Sequence, residues 1–506
     1  MSAVNESLIR DVVAEVLGKL GNTATATAKS APAPMPAPAP KSNSSDNTNA
    51  RKYSSATASL RGKFGVFQDA NEACAAADEA YQQLSKAGVA GRKKVVELIK
   101  EICFAKADEW GRLEFDETKI GRLDHKIEKL QGQRGIPGVE FFLNPYSLSG
   151  DHGIMLEEYA PFGVIGAVTP STHSIPTMAC NIISMVSAGN AAVFNSHPGA
   201  YKCAVTAARF FNQAIHRELG IENLACIVEP PTLESFSAIG KNENVRLLCV
   251  TGGPAVVKAA MASGKRAVCA GPGNPPVLVD GTSCLDNAAK CVVFGAAYDN
   301  NLLCIGEKEV FVLEPFFDKF MAMLEKHGAY RLNDAQVERL SKAAFVFPPG
   351  QGAGCPHPVV NRDFIGKDPA VLAKAAGANI PAGTQLLFAE TKADHLFVDE
   401  EQMMPFLPVV RVKTVEEGIA EAKKAEHGYK HSAIIHSHDV ENMTAMGKAL
   451  ETTIFIKNGA CVAGLGNGGE GYSNFSIATT TGEGICNPRT FTRVRRCVMV
   501  DKLRIF

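Results

Sequence analysis

Leu247-Leu248-Cys249-Val250-Thr251-Gly252-Gly253-Pro254-Ala255 is the stretch from which the fold is read. Leu247 to Val250 is a short apolar run of the kind that forms a buried strand. Thr251-Gly252-Gly253-Pro254 ends it, and a helical pattern starts near Ala255. Glycines at a strand-to-helix turn let a nucleotide approach the helix N-terminus.

The same alternation runs outward on both sides. Gly163 to Val168, Ala191 to Phe194, Leu224 to Val228 and Val277 to Val279 are bounded by Gly, Pro or Asn, with helical patterns between them. The pattern resumes at Val310 to Leu313, Ala344 to Phe347, Leu386 to Phe388, Val409 to Val412 and Ala433 to Ile435. Two α/β units with parallel sheets are expected. Ahead of them, Asn71 to Leu84 and Arg92 to Trp110 carry apolar residues at helical spacing, and Arg496 to Val500 is a short candidate strand.

The 506 residues suggest about three domains. Lys+Arg is 52 and Asp+Glu is 53, a net charge of -1, which argues against a nucleic-acid partner. The apolar fraction of 46% and charged fraction of 21% suit a globular protein with real cores. None of the 14 cysteines is spaced C-x-x-C, so zinc ribbons and thioredoxin-like sites are unsupported. Most read as reduced, buried small hydrophobes. No uncharged run approaches the ~18–20 apolar residues of a membrane span. No membrane partner is expected, and a cytoplasmic location is the default reading.

Residues 1–52 contain no aromatic residue. Val4, Leu8, Ile9, Val12, Val13, Val16, Leu17 and Leu20 fall on one stripe of a helix over residues 1–20, with Glu6, Arg10, Asp11, Glu15 and Lys19 largely opposite. Those charges also exclude a secretory signal. Residues 21–57 read as a flexible Ala/Pro/Ser linker, with prolines at 32, 34, 36, 38 and 40. An amphipathic helix set apart by such a tether reads as a docking helix for a partner groove.

Three patterns are set aside. Gly464, Gly466 and Gly469 fit G-x-G-x-x-G, but Glu470-Gly471-Tyr472-Ser473 follows instead of a helix start. No Gly-Lys pair precedes Ser or Thr, so a P-loop is absent. His427, His431, His436 and His438 lack an acidic or cysteine partner in a suitable context, and no metal is expected.

Cys304, in Asp299-Asn300-Asn301-Leu302-Leu303-Cys304-Ile305-Gly306-Glu307-Lys308, is the best candidate nucleophile. A cysteine at a loop-to-strand junction can be partly exposed, as a reactive thiolate requires. Two more segments join it and the Thr251 turn: Ala270-Gly271-Pro272-Gly273-Asn274-Pro275-Pro276 and Glu400-Glu401-Gln402-Met403-Met404-Pro405-Phe406-Leu407-Pro408.

From about residue 60 onward this ordered quartet resembles the aldehyde dehydrogenase superfamily, and within it the coenzyme A-acylating enzymes of bacterial microcompartments. The stretches from Ala463 to Gly471 and from Gly482 to Phe491 add to the likeness. The resemblance implies a cofactor domain over residues 58–270, a catalytic domain over 271–460, and a return segment with a C-terminal strand over 461–506. A flap at 140–160 would pair with that strand in a homodimer or homotetramer. Cys304 would be the nucleophile and Glu401 the holder of the nicotinamide ribose. Thr251, Gly252 and Gly253 would lie along the pyrophosphate, and Pro170 and Asn195 would complete the NAD site. Asn195 stands where the superfamily has lysine, which leaves NAD against NADP open. Residues 1–20 would target the enzyme to a shell protein inside a microcompartment.

Two departures bear on chemistry. The position of the hydrolytic members' glutamate base holds Cys269. No carboxylate there activates water, so a Cys304 thioester would await a thiol. In Pro170-Ser171-Thr172-His173-Ser174, His173 takes the place of the family's oxyanion asparagine. A neutral imidazole can donate one N–H, with Asn181 or water as the alternative donor. The implied reaction converts a C2–C3 aldehyde, NAD+ and coenzyme A to acyl-CoA and NADH. A hydrolytic dehydrogenase and an inactive cargo adaptor are the rivals.

Overall fold

The computed structural model describes residues 63–140, 144–347 and 358–502. The expected helix over 1–20 and linker over 21–57 lie outside the described residues.

Six parallel strands form the first sheet. Their order is Val66–Phe67, Ala225–Val228, Ala191–Ser196, Val164–Thr169, Val245–Thr251, Arg266–Ala270. The three middle strands are buried almost throughout, as strands covered on both faces must be. That is why each reads as an unbroken apolar run. From Val164–Thr169 the chain steps to one side through two strands, then returns to the other side at Val245–Thr251. The crevice beyond the carboxyl ends of those two strands is a switch point, where open α/β sheets bind ligands. Pro170 and Thr251-Gly252-Gly253 stand there.

The helix Ser174–Ser187 is buried along its whole length. The two helices expected before the sheet appear differently. Ala70–Ala105 is one helical run broken at Gly88, where φ is 65°, and a second helix, Ala107–Thr118, takes Trp110. The break falls at glycine because only it adopts this angle without strain.

Seven parallel strands form the second sheet: Tyr330–Arg331, Leu387–Thr391, Phe406–Val412, Glu309–Leu313, Pro276–Val279, Ser432–His436, Ile454–Lys457. Phe406–Val412, Glu309–Leu313 and Pro276–Val279 are adjacent. The segments entering these strands carry Glu401, Cys304 and Gly271 to Gly273. The apolar run Ala344 to Phe347 does not join this sheet. Phe345–Val346 pairs antiparallel with Val359–Val360 in a separate two-stranded ladder. A two-residue strand with Val346 exposed has no second face to bury.

Tyr146–Gly150, Gly153–Pro161 and Thr492–Val500 form an antiparallel sheet. Thr492–Val500 extends the expected Arg496 to Val500 strand by one pleat at a time back to Thr492. Eight of its nine residues are exposed. No helix among the described residues is long and apolar enough to cross a membrane.

Candidate active site

Every residue singled out for the site lines one cavity of about 420 Å³: Pro170, His173, Asn195, Thr251, Gly252, Gly253, Cys304 and Glu401. The first sheet contributes the loops after its strands, and the second contributes the segments before its strands.

Gly253 caps the helix Pro254–Met261, with Pro254 in the first turn. A Cβ on Gly253 would meet nothing within 4 Å, so the backbone there faces open space. The N–H groups of a first helical turn have no partners within the helix and favour a negative group. This fits a dinucleotide pyrophosphate. Asn195 lines the same cavity, but its amide is committed elsewhere. Its Oδ1 accepts from Ser235 Oγ at 2.6 Å, and its Nδ2 donates to the Thr232 carbonyl at 3.2 Å. It thus holds the capping turn of the helix Leu233–Lys241, and Thr232 and Leu233 line the cavity beside it.

Cys304 is partly buried. Its thiol is pushed up to about 12, first by burial and then by the Glu401 carboxylate. Lys308 and the N–H groups of Cys304 and Ile305 pull the other way. Those two N–H groups therefore lie near the sulfur, and donors so close to a nucleophile are within reach of the oxygen of an attacked carbonyl. Burial raises the Glu401 carboxyl to about 7, against Lys308 and an N–H donated by Gly273. Among the described residues Glu401 is the one carboxylate lining the cavity.

Lys308 was not foreseen. Its ammonium is wholly buried and donates to the Asn301 carbonyl at 2.8 Å and to Asn301 Oδ1. Burial lowers its pKa, while Glu401 and Cys304 raise it. Only the folded chain reveals this, because a lysine in a motif carries no sign of burial.

His173 is 5% exposed, and its Nδ1 has no partner. Burial and the charges of Lys129 and Lys126 hold its pKa well below the usual histidine value, so the ring is neutral. Its backbone is clamped from both sides. Lys126 Nζ donates to the Thr172 carbonyl at 3.0 Å, and Glu114 accepts the Ile175 N–H at 2.9 Å. Glu114 and Lys126 form a buried ion pair at 2.9 Å. His173 lines the cavity and Asn181 does not. Asn181 Oδ1 instead accepts from Ser476 Oγ at 2.8 Å.

Cys269 does not line the cavity either. It is buried on the strand Arg266–Ala270, and its thiol is pushed up to about 11 by burial and by Glu483. A second cavity, about 490 Å³, is bounded by Lys129, Tyr298, Leu303, Val462 and Ser473. Phe475 lines both cavities. Gly466 and Gly471 of the glycine-rich stretch line this second space. That stretch enters no helix N-terminus; a short 3-10 turn, Cys461–Leu465, precedes Gly466. Among the described residues no group of three His, Cys, Asp or Glu is arranged to hold a metal.

Residues 44–339 match the aldehyde dehydrogenase family. The chain belongs to the aldehyde dehydrogenase family. One relative within it is the acetylating acetaldehyde dehydrogenase EutE of Salmonella typhimurium, 45% identical over 456 residues, which cover 90% of this chain and 96% of the relative. Two solved family structures resemble the fold closely. The propionaldehyde dehydrogenase of Rhodopseudomonas palustris, with bound CoA and an acylated cysteine, has a TM-score of 0.83 and 40% identity, covering 88% of this chain and all of that one (100%). The propionaldehyde dehydrogenase of the Clostridium phytofermentans fucose utilisation microcompartment has a TM-score of 0.84 and 39% identity, covering 87% and 100%.

Proposed function

We propose that the chain oxidises a two- or three-carbon aldehyde and transfers the acyl group to coenzyme A. The observation that carries this reading is the single cavity. It joins Cys304 to the Gly252-Gly253 turn, and Cys269, at the expected water-activating position, is outside its lining.

Cys304 Sγ bonds to the aldehyde carbon, the carbonyl π electrons pass to its oxygen, and the thiol proton goes to solvent as the one proton the overall reaction releases. In this scheme the N–H of Cys304 and the neutral His173 ring, both in the cavity lining, hold the resulting oxyanion. Bound NAD+ supplies the hydride acceptor. Loss of hydride leaves a thioester on Cys304. The coenzyme A thiol attacks it, the Cys304 sulfur–acyl bond breaks, and the departing Cys304 sulfur takes up the proton lost by that thiol. Glu401, beside Cys304, holds the cofactor's ribose in this scheme, and Gly252 and Gly253 hold its pyrophosphate.

The test is NADH formation from acetaldehyde and propionaldehyde with and without coenzyme A. Turnover that depends on coenzyme A and yields acyl-CoA is expected. Equal turnover without it overturns the acylating reading. Absence of any aldehyde-dependent NADH, as in Cys304→Ala, favours the cargo adaptor.

Packaging in a microcompartment rests on the pattern of residues 1–20. Fused to a fluorescent protein, that segment directs it to shells; diffuse fluorescence in shell-forming cells counts against packaging. Tyr146, Leu148, Val494 and Val498 are exposed on the antiparallel sheet, which supports pairing with further copies of the chain. Sedimentation reads the oligomer.

A further inference from the structure

Asp299, Asn300 and Asn301, just before Cys304, have φ of 50°, 55° and 62°. Three successive non-glycine residues in the left-handed region are costly, and they persist only where their surroundings over-determine them. All three are buried.

Each is tied down by a different part of the chain. Asn301 Nδ2 donates to the carbonyls of Ala296 and Glu307, both at 2.9 Å. Asn300 Nδ2 donates to the Gly366 carbonyl at 3.1 Å and to Asp368 at 2.9 Å. Gly366 in turn donates to the Met403 carbonyl at 2.9 Å, which links this run to the Glu401 segment. Asp299 reaches furthest. Its N–H donates to His125 Nδ1 at 2.8 Å, and its Oδ1 accepts the Arg122 N–H at 2.8 Å. Its Oδ2 accepts from the Lys129 ammonium. Lys129 stands on the helix Leu123–Gln131, and the pair's side chains are 2% and 0% exposed. Asn300 and Asn301 donate to backbone carbonyls and to Asp368, and Asn301 also accepts from the Lys308 ammonium. Asp299 is the one member of the run with a full charge, and Lys129 is the cation in direct contact with it.

We propose that Lys129 is a positioning residue for Cys304: paired with Asp299, it locks the left-handed run that presents the cysteine to the cavity. This rests on Cys304 being the nucleophile. An ion pair kept only for stability would have no reason to affect the reactivity of one thiol. The lock predicts that it does.

The test compares the full-length wild type with Lys129→Met, Lys129→Met/Asp299→Asn and Asp280→Ala. Asp280 bonds Ser437, Asn442 and Thr282, so its loss destabilises the chain away from the run. Readouts are kcat, KM for NAD+, the rate of Cys304 alkylation by iodoacetamide, and the thermal midpoint. Lys129→Met lowers kcat and the alkylation rate by about 100-fold, the scale of an ångström of misplacement. KM for NAD+ stays within about twofold, because cofactor binding is not what is lost. The double variant regains about tenfold, since no ionised carboxylate is left buried without a counter-charge. Asp280→Ala lowers the midpoint and leaves kcat and alkylation at the wild-type level.

Folded Lys129→Met with wild-type kcat and alkylation overturns the proposal. So does a loss in Asp280→Ala that matches that of Lys129→Met. If Lys129→Met does not accumulate folded, the double variant decides: kcat about tenfold below wild type supports the lock, and wild-type kcat overturns it. Cys304→Ala is measured alongside. Activity there removes the nucleophile reading and the proposal with it, whereas an inactive Cys304→Ala beside a fully active Lys129→Met removes the positioning role alone.

Discussion

Gly273→Ala is the substitution whose effect can be worked most closely from the structure. A Cβ on Gly273 would lie 2.7 Å from the Cys304 carbonyl oxygen, and 2.8 and 2.9 Å from Cγ and Cδ2 of His431. Ordinary contact begins at 3.4 Å, so the Cys304 side is short by about 0.7 Å. His431 cannot give way. Its ring is buried, its Nδ1 is bonded to Ser432 Oγ at 2.9 Å, and its N–H is bonded to Glu426 at 2.8 Å. The Cys304 peptide or the Gly271 to Gly273 turn must move instead. A displacement of that size at the nucleophile lowers kcat by about 10- to 50-fold. Overpacking costs about 1–3 kcal/mol, which lowers the thermal midpoint by about 1–3 °C for a unit of this size. Coenzyme A-dependent NADH formation measures the first effect and thermal unfolding the second. Gly253→Ala is the control: its Cβ meets nothing within 4 Å, so its midpoint is unchanged. Gly273→Ala with wild-type kcat and midpoint would falsify the close approach and the reasoning built on it.

Cys304→Ala abolishes aldehyde-dependent NADH formation and leaves the unfolding free energy within about 1 kcal/mol of wild type, because the small partly exposed side chain is not a core element. Glu401→Gln speeds alkylation of Cys304 by iodoacetamide above about pH 7 and leaves it unchanged well below. The Glu401 carboxyl is raised to about 7, so it is negative only above that pH, and its charge then holds the thiol up; no acceleration at pH 8 would count against the two groups being neighbours. Trp110→Ala costs about 3–5 kcal/mol as read by denaturant unfolding, because the ring is 1% exposed and meets Phe211 edge-on at 5.3 Å. Its kcat per folded molecule is unchanged.

How much was legible follows from which physical signal each residue carries. Strands buried on both faces, such as Ala191–Ser196 and Phe406–Val412, announce themselves as apolar runs. Val66–Phe67 and Tyr330–Arg331 are only two residues long and give no pattern to read. Arg266–Ala270 and Ile454–Lys457 begin or end on a charge and pass for helix or loop. Ala344 to Phe347 has the right composition but stands in its own ladder, a matter of partners that local sequence does not contain. In the site, Cys304, Glu401 and the Gly252-Gly253 turn could be placed through ordered motifs. Lys308 sat in plain view within one of them, but its burial depends on Asn301 folding over it. Phe475, which lines both cavities, belongs to no motif at all. Lys129 and Asp299 are 170 residues apart, so neither hints at the other.

That separation also sets the order in which the enzyme fails. On the proposed lock, the loop that carries Cys304 draws its shape from a helix that enters the chain long before it. Loosening Leu123–Gln131 lets the left-handed run relax while both sheets stay paired. In rising urea, catalysis therefore disappears before the sheets melt, and dilution restores it without refolding of the core.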